Sequence, residues 1–194
     1  LEAMQELQAT VEGSTSKLPF PFMVIATQNP MEFDGVYPLP ENQKDRFMIR
    51  VEFKYPAHDV EVEILKRNLT ELKVDEIQPV IQLGELQEIF KVVDSIKVSD
   101  EILDYISRLA NETRVDTRVS LGASPRAIVQ LLQVARANAA LDGRTYLTPD
   151  DVKKLANVAL AHRIRLDRAA ALKGLVQDPS TIVQQVLDVV KPPR

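Results

Sequence analysis

The sequence predicts a mixed α/β segment over residues 1–56 followed by an all-α domain over residues 57–194, and three features point to it. Phe22–Thr27 is a continuous apolar run bounded by prolines, the pattern of a strand buried on both faces of a parallel sheet. Arg46–Phe53 alternates, with Phe47, Ile49, Val51 and Phe53 on one side, the pattern of a second strand. After Tyr55-Pro56 the apolar residues recur at helical spacing to the end of the chain, which sets a domain boundary near residue 56.

The individual elements follow in order. Leu1–Leu7 reads as the tail of a helix, so the sequence is expected to be a piece of a longer protein. Gln8–Leu18 carries a Glu12-Gly13 turn between two Thr- or Val-bearing arms, which predicts a short hairpin. Gly35, Pro38 and Pro40 make Met31–Glu41 an irregular loop. A first helix is expected from about His58 to Leu69, and a second carries Leu86, Ile89, Phe90 and Val93 as one stripe. A third starts at Ser99 and turns Ile102, Leu103, Ile106, Leu109 and Ala110 inward. Ser124-Pro125, Thr148-Pro149 and Asp178-Pro179 are helix starts: the first side chain of each pair accepts an otherwise unpaired N–H, and proline at the first helical position has no N–H to lose. The stripes behind them are Ile128, Leu131, Leu132, Ala135 and Ala139 for the first, and Ile182, Val183, Val186, Leu187 and Val190 for the last. The sum is a bundle of about six helices.

Composition narrows the chemistry. The 194 residues are 45% hydrophobic and 27% charged, ordinary for a globular protein. The absence of cysteine removes disulfides, thiolate metal sites and cysteine nucleophiles. The longest apolar run is far short of the roughly 20 residues a membrane span needs, and a cytoplasmic protein is the expectation. The net charge of −4 disfavours broad nucleic-acid binding. His58 with Glu61 is too small a set for a metal site, and no metal is expected. His162, Arg163, Arg165 and Arg168 form a basic stretch that reads first as a solvated face and second as a contact for phosphate or an acidic partner. No G-x-x-x-x-G-K-[ST] loop occurs.

Three polar positions stand at element edges. Asn29 follows the apolar run, where it either turns the chain with Pro30 or projects into the crevice at the carboxyl end of a sheet. Arg46, beside Asp45, is either half of a surface ion pair or a group offered to something outside the chain. Arg126 lies in the first turn of a helix, against the positive end of the dipole, so it is either solvated or near an anion.

The segment FMVIATQNPMEFDGVYPLPENQKDRF, residues 22–47, resembles the second half of the ATPase core of MoxR-family AAA+ proteins. GASPRAIVQLLQVAR, then GRTYLTPDDV and ALAHRI, agree with the helical lid of that family in content and order. The resemblance covers essentially the whole chain. It implies that residues 1–56 belong to a partial P-loop NTPase sheet, with a pre-sensor-1 hairpin near Gln8–Leu18, and that residues 57–194 are the lid bundle. It implies that Asn29 is sensor 1, orienting the attacking water, that Arg46 is the arginine finger reaching the ATP of a neighbouring subunit, and that Arg126 is sensor 2. ATP and magnesium would serve the full-length protein, with neither held tightly by these residues alone, since the family's Walker A and B elements would lie upstream of Leu1. The partners implied are neighbouring subunits of a homo-oligomeric ring, hexameric by the resemblance, and protein clients such as von Willebrand A domain proteins. A helical interaction module without catalysis, and a nucleic-acid-binding helicase relative using Arg163–Arg168, are the competing expectations.

Overall fold

The computed structural model describes residues 3–11, 13–28, 39–68 and 78–193. Helix α1 (Ala3–Glu6) leads into an antiparallel hairpin of β1 (Gln8–Val11) and β2 (Ser14–Lys17), paired from Gln8 with Lys17 to Val11 with Ser14. The hairpin is where the sequence predicts it. Gly13 at φ +82° supplies the left-handed residue that a tight turn requires.

Two predicted strands are not strands. Among the described residues no strand pairs with Phe22–Thr27, and Met23 and Ile25 are 76% and 77% exposed. An apolar run becomes a doubly buried strand only when distant segments flank it, and no described segment does. Arg46–Phe53 likewise has no ladder; its Arg50 N–H donates instead to the Val158 carbonyl of a helix, at 2.9 Å. Val51 and Phe53 stand exposed, so the alternation finds no core to face.

The helical half follows the sequence closely. After the short α2 (Glu41–Lys44) come α3 (His58–Asn68), α4 (Leu83–Ser95), α5 (Asp100–Val115), α6 (Pro125–Leu141), α7 (Pro149–Leu160), α8 (Arg168–Leu172) and α9 (Pro179–Val189). A second antiparallel pair, β3 (Val119–Leu121) with β4 (Arg165–Leu166), ties the loop before α6 to the loop after α7. Helices α5, α6, α7 and α9 enclose one core, whose fully buried side chains include Tyr105, Leu109, Leu131, Val152, Leu160, Ile182 and Val183. Each large apolar side chain so buried contributes about 1.5–3 kcal/mol. By contrast α3 and α4 bury no residue fully, and Phe90 on α4 meets Phe20 edge-to-face with ring centres 5.4 Å apart.

The predicted caps form. Ser124 and Asp178 accept from Ala127 N and Ser180 N, and Thr148 begins α7. The predicted stripes hold with exceptions. Leu103, Ile89 and Phe90 are about two-fifths exposed, while Tyr105 and Thr113, not anticipated inside, are buried on α5. The face of α5 is therefore rotated from the predicted one, toward positions 102, 105, 106, 109, 110 and 113.

Asp151, three residues after Thr148, lies buried at the start of α7. Its carboxylate accepts from Thr148 N, Thr148 Oγ1, Asn138 Nδ2 and both terminal nitrogens of Arg144. Burial alone would raise its pKa, but the bonds from Arg144, Thr148 and Asn138 prevail and hold the carboxyl far below the usual range.

Candidate functional site

The turn after α2 meets the start of α6 at the carboxylate of Asp45. Ser124 uses both of its hydrogen-bonding capacities there. Its Oγ accepts from Ala127 N at 3.1 Å as the cap of α6 and donates to Asp45 Oδ1 at 2.7 Å. Arg126 Nη1 donates to Asp45 Oδ2 at 3.1 Å, and Arg163 Nε stands 3.6 Å from Asp45 Oδ1. One carboxylate thus faces two guanidinium groups. The two arginines differ in access, since the Arg126 side chain is 38% exposed and that of Arg163 only 1%.

Arg163 is fixed from several sides. Its Nη1 donates to Ala159 O at 2.9 Å, and its Nη2 reaches both Gln130 Oε1 and the carbonyl of Phe47. Burial pushes the Arg163 guanidinium down to about 10, with Asp45 pulling it up and Arg126 lowering it further. His162 Nε2 lies 3.0 Å from the same Phe47 carbonyl, which can only accept, so Nε2 carries the proton. Burial lowers the His162 pKa, and Arg163 and Arg50 add to that lowering, so the ring is neutral at pH 7. The backbone around Arg46 is therefore clamped to the helical bundle through Asp45, Phe47 and Arg50.

The loop that leads into α6 and Arg126 is braced from α5. Buried Thr113 donates through Oγ1 to Ala110 O and accepts from Ala123 N, while Arg114 Nε donates to Ala123 O at 2.8 Å. Gly122 permits this approach, because a Cβ there would sit 2.8 Å from both Arg114 Cα and Thr113 O. Gly122→Ala is expected to lower stability by about 1 to 3 kcal/mol, as overpacking against backbone does. Urea unfolding of the two proteins measures it.

Of the predicted site residues, Arg126 joins the Asp45 cluster, and Arg46 is half-buried in the adjoining turn, its N–H bonded to Gln43 O at 3.1 Å. Asn29 lies outside the described residues. The expectation of a solvated basic face at His162–Arg168 is corrected. Arg163 is buried and His162 half-buried, while Arg165 and Arg168 are exposed. The reason is positional: the short 3-10 turn Ala161–Arg163 continues α7 directly, and its side chains fold under the Phe47 carbonyl instead of outward. Sequence reasoning assigns no site role to Asp45 or Thr113, and it places Arg163 in a basic face rather than inside the bundle. Only the apolar run Ala159-Leu160-Ala161 before Arg163 hinted that a cation there is drawn inside.

Among the described residues no group of three or more His, Asp or Glu side chains is placed to hold a metal ion, and no helix is long and apolar enough to cross a membrane.

Residues 1–49 match the family model for the ATPase family associated with various cellular activities (AAA), and residues 111–186 match the AAA lid domain. The uncharacterized protein YeaC of Bacillus subtilis (strain 168) is 37% identical over 193 residues, covering all of this chain and 60% of that relative. Chaperone MoxR1 of Mycobacterium tuberculosis is 34% identical, covering all of this chain and 53% of that relative. A crystal structure from Cytophaga hutchinsonii, described as that of a candidate ATPase, superposes with a TM-score of 0.90 at 33% identity, covering all of this chain and 61% of that one. The chain thus spans between half and two-thirds of the length of these relatives.

Proposed function

Because the chain belongs to the MoxR family of AAA+ ATPases, we propose that it forms the sensing and lid part of a ring ATPase that couples ATP hydrolysis to remodelling of protein partners. The observation that carries this reading is the Asp45 cluster, where the turn holding Arg46 and the helix start holding Arg126 meet on one carboxylate. Phosphoryl transfer asks a protein chiefly for positioning and for neutralisation of charge, and guanidinium groups supply both. Arg126 is partly exposed, and its planar guanidinium donors fit a phosphate oxygen of the subunit's own nucleotide. Arg46 serves the nucleotide of the neighbouring subunit, and Asn29 orients the attacking water.

These residues contain no G-x-x-x-x-G-K-[ST] loop. Capture of ATP and its magnesium accordingly belongs to an ATPase that joins them to a P-loop, and the chain by itself is inactive. The assembly is a homo-oligomeric ring, six-membered as the family resemblance implies, working in the cytoplasm on clients such as von Willebrand A domain proteins.

In that P-loop-bearing ATPase, Arg126→Ala is expected to weaken ATP binding by roughly tenfold, the loss of one charge-assisted contact worth about 1.5 kcal/mol. Calorimetric titration with a nonhydrolysable ATP analogue measures it. Undiminished affinity overturns the sensor assignment.

A further inference from the structure

We infer that His162 and Arg163 are positioning residues: through the Phe47 carbonyl they seat the turn that carries Arg46, and so set the rate of hydrolysis at the neighbouring subunit. The inference rests on the reading of Arg46 as the group supplied to that subunit and adds to it the residues that hold its backbone. The turn has little to hold itself with. Helix α2 is a single turn that buries no residue, and its continuation consists of the Arg46 N–H on Gln43 O and the Phe47 N–H on Lys44 O, both at 3.1 Å. A helix so short is marginal in water by itself, and the carbonyls at its end have no partner within it. The Phe47 carbonyl, one residue past Arg46, finds its partners in the bundle instead: it accepts from His162 Nε2 at 3.0 Å and from Arg163 Nη2.

The Arg163 donors are themselves held. Nη1 donates to Ala159 O of α7 at 2.9 Å and Nη2 also meets Gln130 Oε1 of α6, so two helices orient the buried guanidinium that reaches Phe47. A buried cation is a poor means of mere cohesion, because apolar groups of the same volume hold two elements together as well or better. What a guanidinium adds is direction, since its planar fork fixes several acceptors at once. Direction is what an arginine offered across a subunit boundary needs, as a misplacement of about 1 Å can cost about 10²-fold in rate. The signature of such a role is a slower hydrolysis step with nucleotide affinity unchanged, and it exists only while Arg46 is present.

The test is a double-mutant cycle in the P-loop-bearing ATPase, read as single-turnover hydrolysis of ATP, as the Kd of adenylyl imidodiphosphate and as ring assembly by light scattering. Arg163→Met, which keeps a long side chain and removes its donors, is expected to lower the hydrolysis rate by about 10²-fold with Kd and assembly unchanged. His162→Leu is expected to lower it by roughly two- to tenfold, the worth of one hydrogen bond. His162→Gln, whose amide nitrogen donates where Nε2 did, is expected to restore it. The His162 variants decide the matter if Arg163→Met does not fold. On the Arg46→Ala background each substitution is expected to leave the residual rate unchanged. The inference is overturned by an undiminished rate in Arg163→Met and His162→Leu, by a Kd that rises as the rate falls, or by equal losses with and without Arg46. If Arg46→Ala alone leaves the rate untouched, it is the finger reading that fails, and this inference with it.

Discussion

Arg46→Ala, made in the P-loop-bearing ATPase, is expected to lower kcat by about 10³-fold or more while nucleotide binding is retained, since an arginine supplied in trans is worth about 10³ to 10⁵ in rate. The expectation has a structural side. Arg46 sits in a turn whose neighbours are all engaged with the bundle: Asp45 by Ser124 and Arg126, the Phe47 carbonyl by His162 and Arg163, and the Arg50 N–H by Val158. A side chain on a backbone so fixed loses little entropy when it meets charge, and truncating it leaves that backbone in place. Loss of turnover with intact binding and intact ring assembly separates a transition-state role from a packing role. Steady-state ATPase rates with an assembly check by light scattering measure it, and unchanged turnover contradicts the finger assignment.

The second large effect concerns stability. Asp151→Asn is expected to cost about 3 kcal/mol, because it removes the single buried carboxylate on which Thr148, Asn138 and Arg144 converge. For a chain of this length that lowers Tm by about 6 to 12 °C. A pH dependence accompanies it. The folded carboxyl is held far below its ordinary 3.8, so the unfolded chain takes up the proton first as the solution is acidified. The stabilisation is therefore fully present above about pH 5, and it is lost as pH falls below 4 toward the depressed folded value. Thermal melts at pH 7 and pH 3 check both parts. The variant should start lower at pH 7 and lose less on acidification, and equal acid sensitivity in the two proteins contradicts the assignment.

What was legible in the sequence was what is local. Ser124-Pro125, Thr148-Pro149 and Asp178-Pro179 mark helix starts because cap and first turn lie within three residues of each other, and the structure has all three. Glu12-Gly13 gives a hairpin for the same reason. Phe22–Thr27 and Arg46–Phe53 carry strand patterns yet pair with no described strand, because a strand is made by its neighbours, and alternation cannot report whether a neighbour exists. The rotated face of α5 has a similar origin. Leu103 and Tyr105 are both apolar enough for the inside, and packing against α9 and α6 selects Tyr105. The site was half legible. Arg126 and Arg46 stood out by position, but the contact that joins their surroundings spans 79 residues from Asp45 to Ser124, and no periodicity encodes it.

The Arg50 N–H joins the turn that holds Arg46 to helix α7. The last carbonyls of a helix have no partner within it, and here the Val158 carbonyl near the end of α7 accepts from Arg50, eight residues before α3 begins. Residues 45–50 are consequently tied to the bundle, and the chain from 51 to 57 is exposed before α3 begins. The seat of the turn that holds Arg46 is thereby set by α7.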